Sequence, residues 1–349
     1  MKAYVLEAVN QLVWKDIEIP PLKAGEVLVA VKTAGICGSD IPRIFVNGTY
    51  HFPTIPGHEF AGVVEKVYGP AEQEWLGKRV GVFPLIPCGE CPQCKAKQYE
   101  MCGHYNYLGS RCDGGFAEYV AVPVWNLIEL PEEMDLREAA MLEPASVALH
   151  AVRQLELQGK QTAALFGLGT IGSIIVQWLS YYGLNKMYAT GHWEQFGELM
   201  RQTANDDYEF KNTTDRDSIS WIQERTNQVG VDIAIDCVGT SESLEDCLAV
   251  VRPGGQILVV ANPKGELQLS QNAYWKLMRK QLTLRGTWNS SFIHDDQDDW
   301  HTVIDACCSK QIHLKPLITH ELPFEALREG LDVMRDKRDY RNKVMICHV

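Results

Sequence analysis

The segment TAALFGLGTIGSIIV constrains the fold of this chain more than any other. An apolar run leads into an amphipathic helical run through Gly167, Gly169 and Gly172, in the pattern G-x-G-x-x-G. Glycines at this spacing permit a tight turn, and they let a pyrophosphate approach the N-terminus of the following helix. Between a strand and a helix, the pattern predicts a dinucleotide site whose residues are Gly167, Gly169, Thr170, Ile171 and Gly172.

The rest of the chain shows two different patterns. From about residue 146 to 285, strand-like runs such as KMYAT and VDIAIDCVG alternate with helix-like runs such as SLEDCLAVV. This alternation is typical of an α/β domain with a doubly wound parallel sheet. Before residue 146, short β-branched runs between glycines and prolines favour a small β-barrel-like domain. Because 349 residues exceed one ordinary core, we expect domains at 1–145 and 146–285, with 286–349 returning to the first.

Charge and hydropathy exclude several classes of function. A net charge of -12 argues against nucleic acid, which selects basic surfaces. No apolar stretch approaches the ~18 residues that a membrane helix needs. The N-terminal segment MKAYVLEAVNQLVWKD has no signal-peptide core. We therefore expect a cytoplasmic protein with no nucleic-acid or membrane partner, in which clustered cysteines are metal ligands or catalysts and do not form disulfides.

A cysteine-rich lobe at 83–112 predicts a structural zinc site. Its cysteines follow the spacing C-x2-C-x2-C-x7-C, and they are Cys88, Cys91, Cys94 and Cys102. Four thiolates suit tetrahedral zinc and leave no open coordination position, which is typical of a structural site. An iron–sulfur cluster is the alternative, but a ferredoxin-type run brings its fourth cysteine about three residues on and follows it with proline.

Three residues outside this lobe are candidates for a catalytic metal. Cys37 and His58 lie in glycine-bounded loops, and Glu143 directly precedes Pro144. Three protein ligands and an open position are the layout of a catalytic zinc. Spacing alone leaves the alternative open that these are a core thiol, a hydrogen-bonded histidine and a solvated acid.

Several motifs occur in the order of a known family. CGSD, GHEFAGVV, the four-cysteine lobe, GSRCDGGFAEY, LEPASVALHA and GLGTIG together resemble the zinc-containing medium-chain dehydrogenase/reductase family, over essentially the whole chain. Within the family, CGSDIPRIFVNG, the glutamate before Pro144 and GTWNSS resemble the polyol dehydrogenases. The resemblance implies a GroES-like catalytic domain, a Rossmann domain and zinc-dependent oxidation of an alcohol with NAD(P).

The resemblance also implies the roles of particular residues. Cys37, His58 and Glu143 would ligate the catalytic zinc, with Glu59 as an alternate ligand or a neighbour of the metal. Together with the cysteine lobe, this implies two zinc ions per chain. Ser39 would pass the alcohol proton outward. Relatives often continue that relay with a histidine where this chain has Pro42, so the relay ends in water, the cofactor ribose or a glutamate.

The cofactor position departs from the pattern of NAD-dependent relatives. These relatives carry an acidic residue about 20 residues beyond the glycines, where it bonds the adenosine ribose. This chain has Gly191 there, followed by His192, and the nearest arginine is Arg201. We expect Gly191 and His192 to contact the cofactor. The resemblance favours NAD, with NADP as the open alternative.

The substrate is implied most weakly. The resemblance points to a polyol phosphate, namely galactitol 1-phosphate oxidised to tagatose 6-phosphate. Arg43 and Arg111 are candidate phosphate anchors because a guanidinium suits phosphate, and Trp288 and Asn289 fall where relatives line the substrate pocket. An unphosphorylated polyol such as sorbitol, and ribitol 5-phosphate, are alternatives. Family members are usually dimers or tetramers, so a homodimer or homotetramer is expected.

Two functions from other classes are weighed against the enzyme. A nucleotide-binding protein without catalysis is disfavoured because all three candidate zinc ligands are present. The other alternative is a zinc-ribbon module that binds nucleic acid or protein. The acidic charge and the lack of basic or aromatic clusters near the lobe argue against nucleic acid. A metal count discriminates among them, with two zinc ions expected only for the enzyme.

Overall fold

The computed structural model describes residues 1–204, 208–213 and 217–348. The chain forms two compact units. The first comprises Met1–Pro144, Ser291–Cys308 and Ile318–Val349, and the second comprises Ala145–Ser290 and Ser309–Leu317. The prediction placed the return to the first domain at 286, whereas the first unit resumes at Ser291, because the last parallel strand and the loop after it stay with the second unit. Residues 309–317 belong to the second unit, whereas the prediction assigned them to the first.

The strands, in chain order, are β1 Lys2–Ala8, β2 Gln11–Asp16, β3 Glu26–Ile36, β4 Glu59–Val67, β5 Arg79–Val82, β6 Leu85–Ile86, β7 Asn106–Tyr107, β8 Tyr119–Pro123, β9 Leu127–Glu129, β10 Thr162–Phe166, β11 Lys186–Gly191, β12 Tyr208–Asn212, β13 Val231–Asp236, β14 Val251–Val259, β15 Thr283–Gly286, β16 Ile318–Pro323 and β17 Lys343–Cys347. The α-helices are α1 Asp40–Pro42, α2 Pro92–Lys95, α3 Leu136–Ala140, α4 Leu142–Arg153, α5 Thr170–Tyr181, α6 Glu194–Thr203, α7 Ser218–Arg225, α8 Ser241–Val250, α9 Gln271–Arg279, α10 Asp299–Cys308 and α11 Leu327–Asp336.

The first unit is built around a sheet with the order β16-β17-β3-β4-β5-β9, and β8 also pairs with β3. β3 is its central strand, because its apolar sequence EVLVAVKTAGI is almost entirely buried. β3 runs antiparallel to β4, with Gly35 opposite Glu59, and antiparallel to β17, with Ile36 opposite Val344. The C-terminal end of β3 therefore lies beside the beginnings of both neighbours. This register brings distant parts of the chain to one end of the sheet.

The second unit contains a six-stranded parallel sheet. Its order, β12-β11-β10-β13-β14-β15, is the 3-2-1-4-5-6 order of a Rossmann fold, and every pair in it is parallel. The predicted doubly wound parallel sheet is confirmed. The sequence analysis did not identify β12, whose residues YEFKN are neither consistently buried nor alternating, or α6 before it.

The lengths and hydropathies of the helices bear on whether any of them could cross a membrane. Among the residues that the structure describes, no helix is both long and apolar enough to cross a lipid bilayer.

Replacing Gly62 on β4 with alanine is expected to destabilise the first unit. The new Cβ would overlap the carbonyl oxygen of Ala30 on β3, and the backbone of a paired strand cannot move aside cheaply. Overpacking of this kind costs about 1–3 kcal/mol, which the midpoint of thermal unfolding will report. Gly286→Ala on β15 is the matched control, because no heavy atom lies within 4 Å of the added Cβ. Equal midpoints for the two variants would contradict the packing argument.

Candidate active site

The shared end of β3, β4 and β17 carries a group of metal-binding side chains. Cys37 follows β3 directly, His58 directly precedes β4, and Glu59 is the first residue of β4. One donor atom from each of these three residues lies within 4.8 Å of the other two. A thiolate, an imidazole and a carboxylate are all zinc ligands. The residues at this end of the sheet therefore fit a zinc ion.

Glu143 belongs to the same buried group of charges but has a different partner. It lies in the first turn of α4, and its Oε1 accepts a hydrogen bond of 3.1 Å from the hydroxyl of Tyr107. Burial raises the pKa of Glu143 to about 7, although the charge of His58 acts in the opposite direction. The 4.8 Å group contains Glu59 where the sequence analysis expected Glu143. The choice of third ligand remains a prediction.

Lys343 is a residue of the site that sequence reasoning missed. It begins β17, and its Nζ forms an ion pair with Glu59 in which the two side chains are 3% and 1% exposed. Burial opposes the charged form of Lys343, but the carboxylate of Glu59 holds the pKa of Lys343 above its usual range. Glu59 reaches Lys343 across Gly35, where any Cβ would overlap Glu59 Oε2. Only the register of β17 brings this lysine beside β3, so nothing in the sequence marked it.

Asp40 contacts Cys37 and His58, and it also binds the side chain of Arg43. The fully buried Asp40 carboxylate accepts hydrogen bonds from Nη1 of Arg43 at 2.7 Å and from the backbone N–H of Cys37 at 3.0 Å. Its Oδ1 also lies 3.5 Å from Nδ1 of His58. Burial alone would lower the pKa of His58, but the charges of Cys37 and Asp40 raise it well above its usual range. The Arg43 side chain, 18% exposed, is thus committed to an internal ion pair.

Ser39 lies next to the predicted zinc ligand Cys37. Its Oγ is 3.3 Å from Cys37 Sγ and donates a hydrogen bond to it. Ser39 is only partly buried. Its hydroxyl therefore combines contact with a candidate ligand and access to solvent, as a proton relay requires.

The four lobe cysteines converge as a metal site would require. The Sγ atoms of Cys88 and Cys94 are 3.9 Å apart, and those of Cys91 and Cys102 are 3.8 Å apart. Tetrahedral zinc with Zn–S bonds of about 2.3 Å sets sulfur atoms about 3.8 Å apart. The backbone N–H of Cys94 points at Cys91 Sγ and lowers the pKa of that thiol to about 6. The cluster therefore fits one zinc ion with four thiolate ligands.

The glycine-rich turn of the second unit fits a dinucleotide. Gly167 has φ +96°, and a Cβ there would lie 2.8 Å from Val238 Cγ2. A Cβ on Gly172 would overlap the carbonyl oxygen of Gly167, so the turn packs tightly against α5. By contrast, a Cβ on Gly169 would meet nothing within 4 Å. This opening leads to Thr170 and Ile171, whose backbone begins α5 and suits a pyrophosphate.

The other residues predicted in the second unit lie at strand ends. Gly191 ends β11 and is buried, while the exposed His192 places Nδ1 2.8 Å from Oγ1 of Thr213. Trp288 is 53% exposed and follows β15, and Asn289 adopts φ +57°.

Arg111, a predicted substrate residue, lies in an aromatic sandwich. Its guanidinium carbon is 4.2 Å from the ring centroid of Tyr50 and 4.3 Å from that of Tyr105. Nη2 donates to the hydroxyl of Tyr50 at 3.3 Å, and Nη1 donates to the backbone carbonyl of Tyr105 at 3.4 Å. Within 1–204, 208–213 and 217–348, no carboxylate forms an ion pair with Arg111. The guanidinium is therefore held by stacking and hydrogen-bond contacts, and none of the described carboxylates pairs with it.

Two protein families match this chain. Residues 23–132 match the alcohol dehydrogenase GroES-like domain, and residues 170–309 match the zinc-binding dehydrogenase family. The first match covers the end of the sheet where Cys37, His58 and Glu59 meet, together with the cysteine lobe. The second begins at the first residue of α5. These matches confirm the GroES-like and Rossmann parts of the predicted fold.

Individual proteins resemble the chain along nearly its whole length. Galactitol 1-phosphate 5-dehydrogenase of Escherichia coli strain K12 is 30% identical over 322 residues, which cover 91% of this chain and 92% of that protein. Sorbitol dehydrogenase of Bacillus subtilis strain 168 is 28% identical over 362 residues, which cover 99% and 97%. The crystal structure of galactitol-1-phosphate dehydrogenase from Escherichia coli superposes with a TM-score of 0.90 at 30% identity, covering 99% of this chain and 100% of that one.

Cys94→Ser is expected to remove one zinc ion per chain, because serine does not replace a buried thiolate in a tetrahedral sulfur site. Metal analysis of the purified protein measures this loss, and the midpoint of thermal unfolding should fall with it. Cys112→Ser is the control, since Cys112 lies outside the cluster of sulfur atoms. An unchanged zinc content in Cys94→Ser would refute the structural site.

Lys343→Met is expected to lower the free energy of unfolding by about 3–5 kcal/mol, because it leaves the Glu59 carboxylate buried without its partner. The double variant Glu59→Gln/Lys343→Met should recover part of this loss, and urea unfolding measures both. Lys2→Met is the control, because the Lys2–Asp16 ion pair is 45% and 72% exposed and should contribute little. Equal effects of the two lysine substitutions would contradict the assignment.

Proposed function

Because the chain belongs to the zinc-containing medium-chain dehydrogenase/reductase family of alcohol and polyol oxidoreductases, we propose that it oxidises a secondary hydroxyl of a polyol phosphate. The proposed reaction converts galactitol 1-phosphate to tagatose 6-phosphate and transfers a hydride to a nicotinamide dinucleotide. The observation that carries the reaction type is the group of Cys37, His58 and Glu59 donor atoms within 4.8 Å of one another. The 30% identity to galactitol 1-phosphate 5-dehydrogenase supports the substrate.

Cys37, His58 and Glu143 would hold the catalytic zinc, with Glu59 as the alternate third ligand. A zinc ion at such a site supplies Lewis acidity, which lowers the pKa of a substrate hydroxyl. Glu59 remains paired with Lys343, which limits the negative charge around the metal. Asp40, 3.5 Å from Nδ1 of His58, favours the orientation that leaves Nε2 for a metal.

Ser39 would take up the proton that the substrate hydroxyl releases. Its Oγ already contacts the sulfur of Cys37, so it lies beside the place where that hydroxyl would bind. Pro42 cannot extend the relay, because its side chain neither donates nor accepts a proton. The proton then passes to water, to the cofactor ribose or to a glutamate.

Arg111 is the better of the two candidate phosphate anchors. Arg43 forms an ion pair with the buried Asp40. The guanidinium of Arg111 stacks on two tyrosines instead, and none of the described carboxylates pairs with it. The ring of Tyr105 lies 6.1 Å from that of Tyr107, which in turn lies 5.8 Å from the ring of His58. The rings of Tyr105 and Tyr107 therefore connect the Arg111 guanidinium to a candidate zinc ligand.

A second candidate substrate is an unphosphorylated polyol. The 28% identity to sorbitol dehydrogenase over 99% of the chain favours this alternative. The zinc and hydride chemistry would be the same, and only the role of Arg111 would differ. Ribitol 5-phosphate is a third substrate to include, because it keeps the phosphate and shortens the carbon chain.

Initial rates of nicotinamide reduction should be highest with galactitol 1-phosphate, compared with galactitol, sorbitol and ribitol 5-phosphate, using NAD and NADP separately. In Arg111→Gln, kcat/KM for the phosphate ester should fall about 10- to 100-fold, the loss expected for a charge-assisted hydrogen bond. The rate with free galactitol should change little. Faster turnover of the free polyols by the native protein would contradict the proposal that the substrate carries a phosphate.

Arg225→Gln is the matched control for Arg111→Gln. Arg225 also stacks on an aromatic ring, that of Trp221, with 4.8 Å between the guanidinium carbon and the ring centroid. It lies in the second unit, and Glu209 pairs with it. An equal loss in both variants would show that Arg111 contributes through stability and not through the phosphate.

A further inference from the structure

The end of β11 is the place where this fold recognises the adenosine ribose of a dinucleotide. Thr190, its penultimate residue, accepts backbone hydrogen bonds from the N–H groups of Gly167 at 3.2 Å and Leu168 at 3.0 Å. These bonds tie the glycine-rich turn directly to the end of the strand. In NAD-specific sites an acidic residue here bonds the ribose 2′-hydroxyl and repels a 2′-phosphate.

Gly191 occupies that position, and the packing explains the absence of an acid. An added Cβ would lie 3.2 Å from Cβ of Leu168, 3.3 Å from Cδ2 of Phe196 and 3.4 Å from Cε2 of Phe210. Phe196 is only 4% exposed. A side chain added here would start among apolar atoms, and burying a carboxylate among such atoms without a hydrogen-bonding partner is unfavourable. The strand end is therefore packed closely around a glycine, and a larger residue would have to displace its apolar neighbours.

Two hydrogen bonds position the next side chain instead. The backbone N–H of Thr213 donates to the carbonyl oxygen of Gly191 at 2.9 Å, and Thr213 Oγ1 lies 2.8 Å from Nδ1 of His192. The residue after β12 thus holds both the end of β11 and the imidazole that follows it. When the Thr213 hydroxyl donates to Nδ1, the neutral imidazole carries its hydrogen on Nε2, and the exposed ring can donate that hydrogen to a ligand.

Charge around this imidazole does not replace the missing carboxylate. The last two residues of β12 are Lys211 and Asn212, and those of β11 are Thr190 and Gly191, so neither strand ends in an acid. The acid nearest to His192 in the sequence is Glu194, in the first turn of α6. Lys211, two residues before Thr213, carries the opposite charge. Among the described residues, the last two positions of β11 and β12 therefore carry one lysine and no acid.

We propose that the adenosine ribose site of this chain accepts a 2′-phosphate, so that NADP binds at least as well as NAD. His192, held by Thr213, donates a hydrogen bond from Nε2 to the phosphate. Gly191 removes the carboxylate that would repel it. The inference rests on the proposed function, because it requires the second unit to bind a nicotinamide dinucleotide. It identifies His192 as the residue that determines cofactor specificity and Thr213 as the residue that positions it.

Calorimetric titration of the full-length protein with adenosine 2′,5′-bisphosphate and with 5′-AMP tests the proposal without turnover. The bisphosphate is expected to bind at least as tightly as 5′-AMP. In His192→Ala the ratio of the two affinities should fall about 10-fold, the effect of one charge-assisted hydrogen bond. Thr213→Val should lower the ratio by a smaller factor. His320→Ala, in the first unit, is the control that should leave it unchanged.

A native preference for 5′-AMP, or a ratio that His192→Ala leaves unchanged, would overturn the inference. If NAD then supported polyol oxidation, the proposed function would stand and only the cofactor inference would fall. Failure to bind either nucleotide, together with no reduction of NAD or NADP, would overturn both. Gly191→Asp adds an independent test, since the packing predicts a lower unfolding midpoint and no gain in 5′-AMP affinity.

Discussion

The ion pair between Glu59 and Lys343 is the interaction on which the candidate active site depends. A carboxylate that is 1% exposed is unstable without a compensating charge, and the lysine that provides it is 284 residues away in the sequence. The pair forms only because β17 and β4 flank β3, and because Gly35 leaves room for the carboxylate to cross the strand. The same register places Cys37 and His58 side by side. The strand order and register of the first unit therefore determine both the ion pair that balances the buried Glu59 charge and the positions of Cys37 and His58.

The two cysteine-containing sites solve different physical problems. Sulfur atoms would surround a metal ion in the four-cysteine lobe and leave no place for a substrate, so a metal bound there would contribute to stability. The group at the end of the sheet mixes a thiol, an imidazole and carboxylates. The charges of Cys37 and Asp40 raise the pKa of His58 against the effect of burial, whereas burial itself raises the pKa of Glu143. Such a mixed set can bind a metal and still leave a position open. The division between a structural and a catalytic site follows from ligand chemistry.

In the second unit, close packing limits which side chains fit where a cofactor is expected to bind. At Gly167 and Gly172 the lack of a side chain allows the turn to pack closely, as the glycine pattern predicts. At Gly191 the neighbouring side chains of Leu168, Phe196 and Phe210 fill the direction in which a Cβ would point. The next side chain, that of His192, is instead held by Thr213, the residue that follows β12. Arg111 illustrates the complementary case, in which two tyrosines hold a charge without neutralising it.

The sequence by itself determined the family, the parallel sheet of the second unit and the two sets of candidate metal ligands. The glycine spacing, the cysteine spacing and the strand–helix alternation are local patterns, whereas Cys37, His58 and Glu143 were expected from the resemblance to the family and not from their spacing. The tertiary structure alone decided that Lys343 and Tyr107 adjoin the site, that Arg43 is committed to Asp40, that residues 309–317 belong to the second unit, and that β12 completes the sheet. These features depend on which strands pair and in what register. Register arises from contacts between residues that are far apart in the chain, and it leaves no mark on any short segment of it.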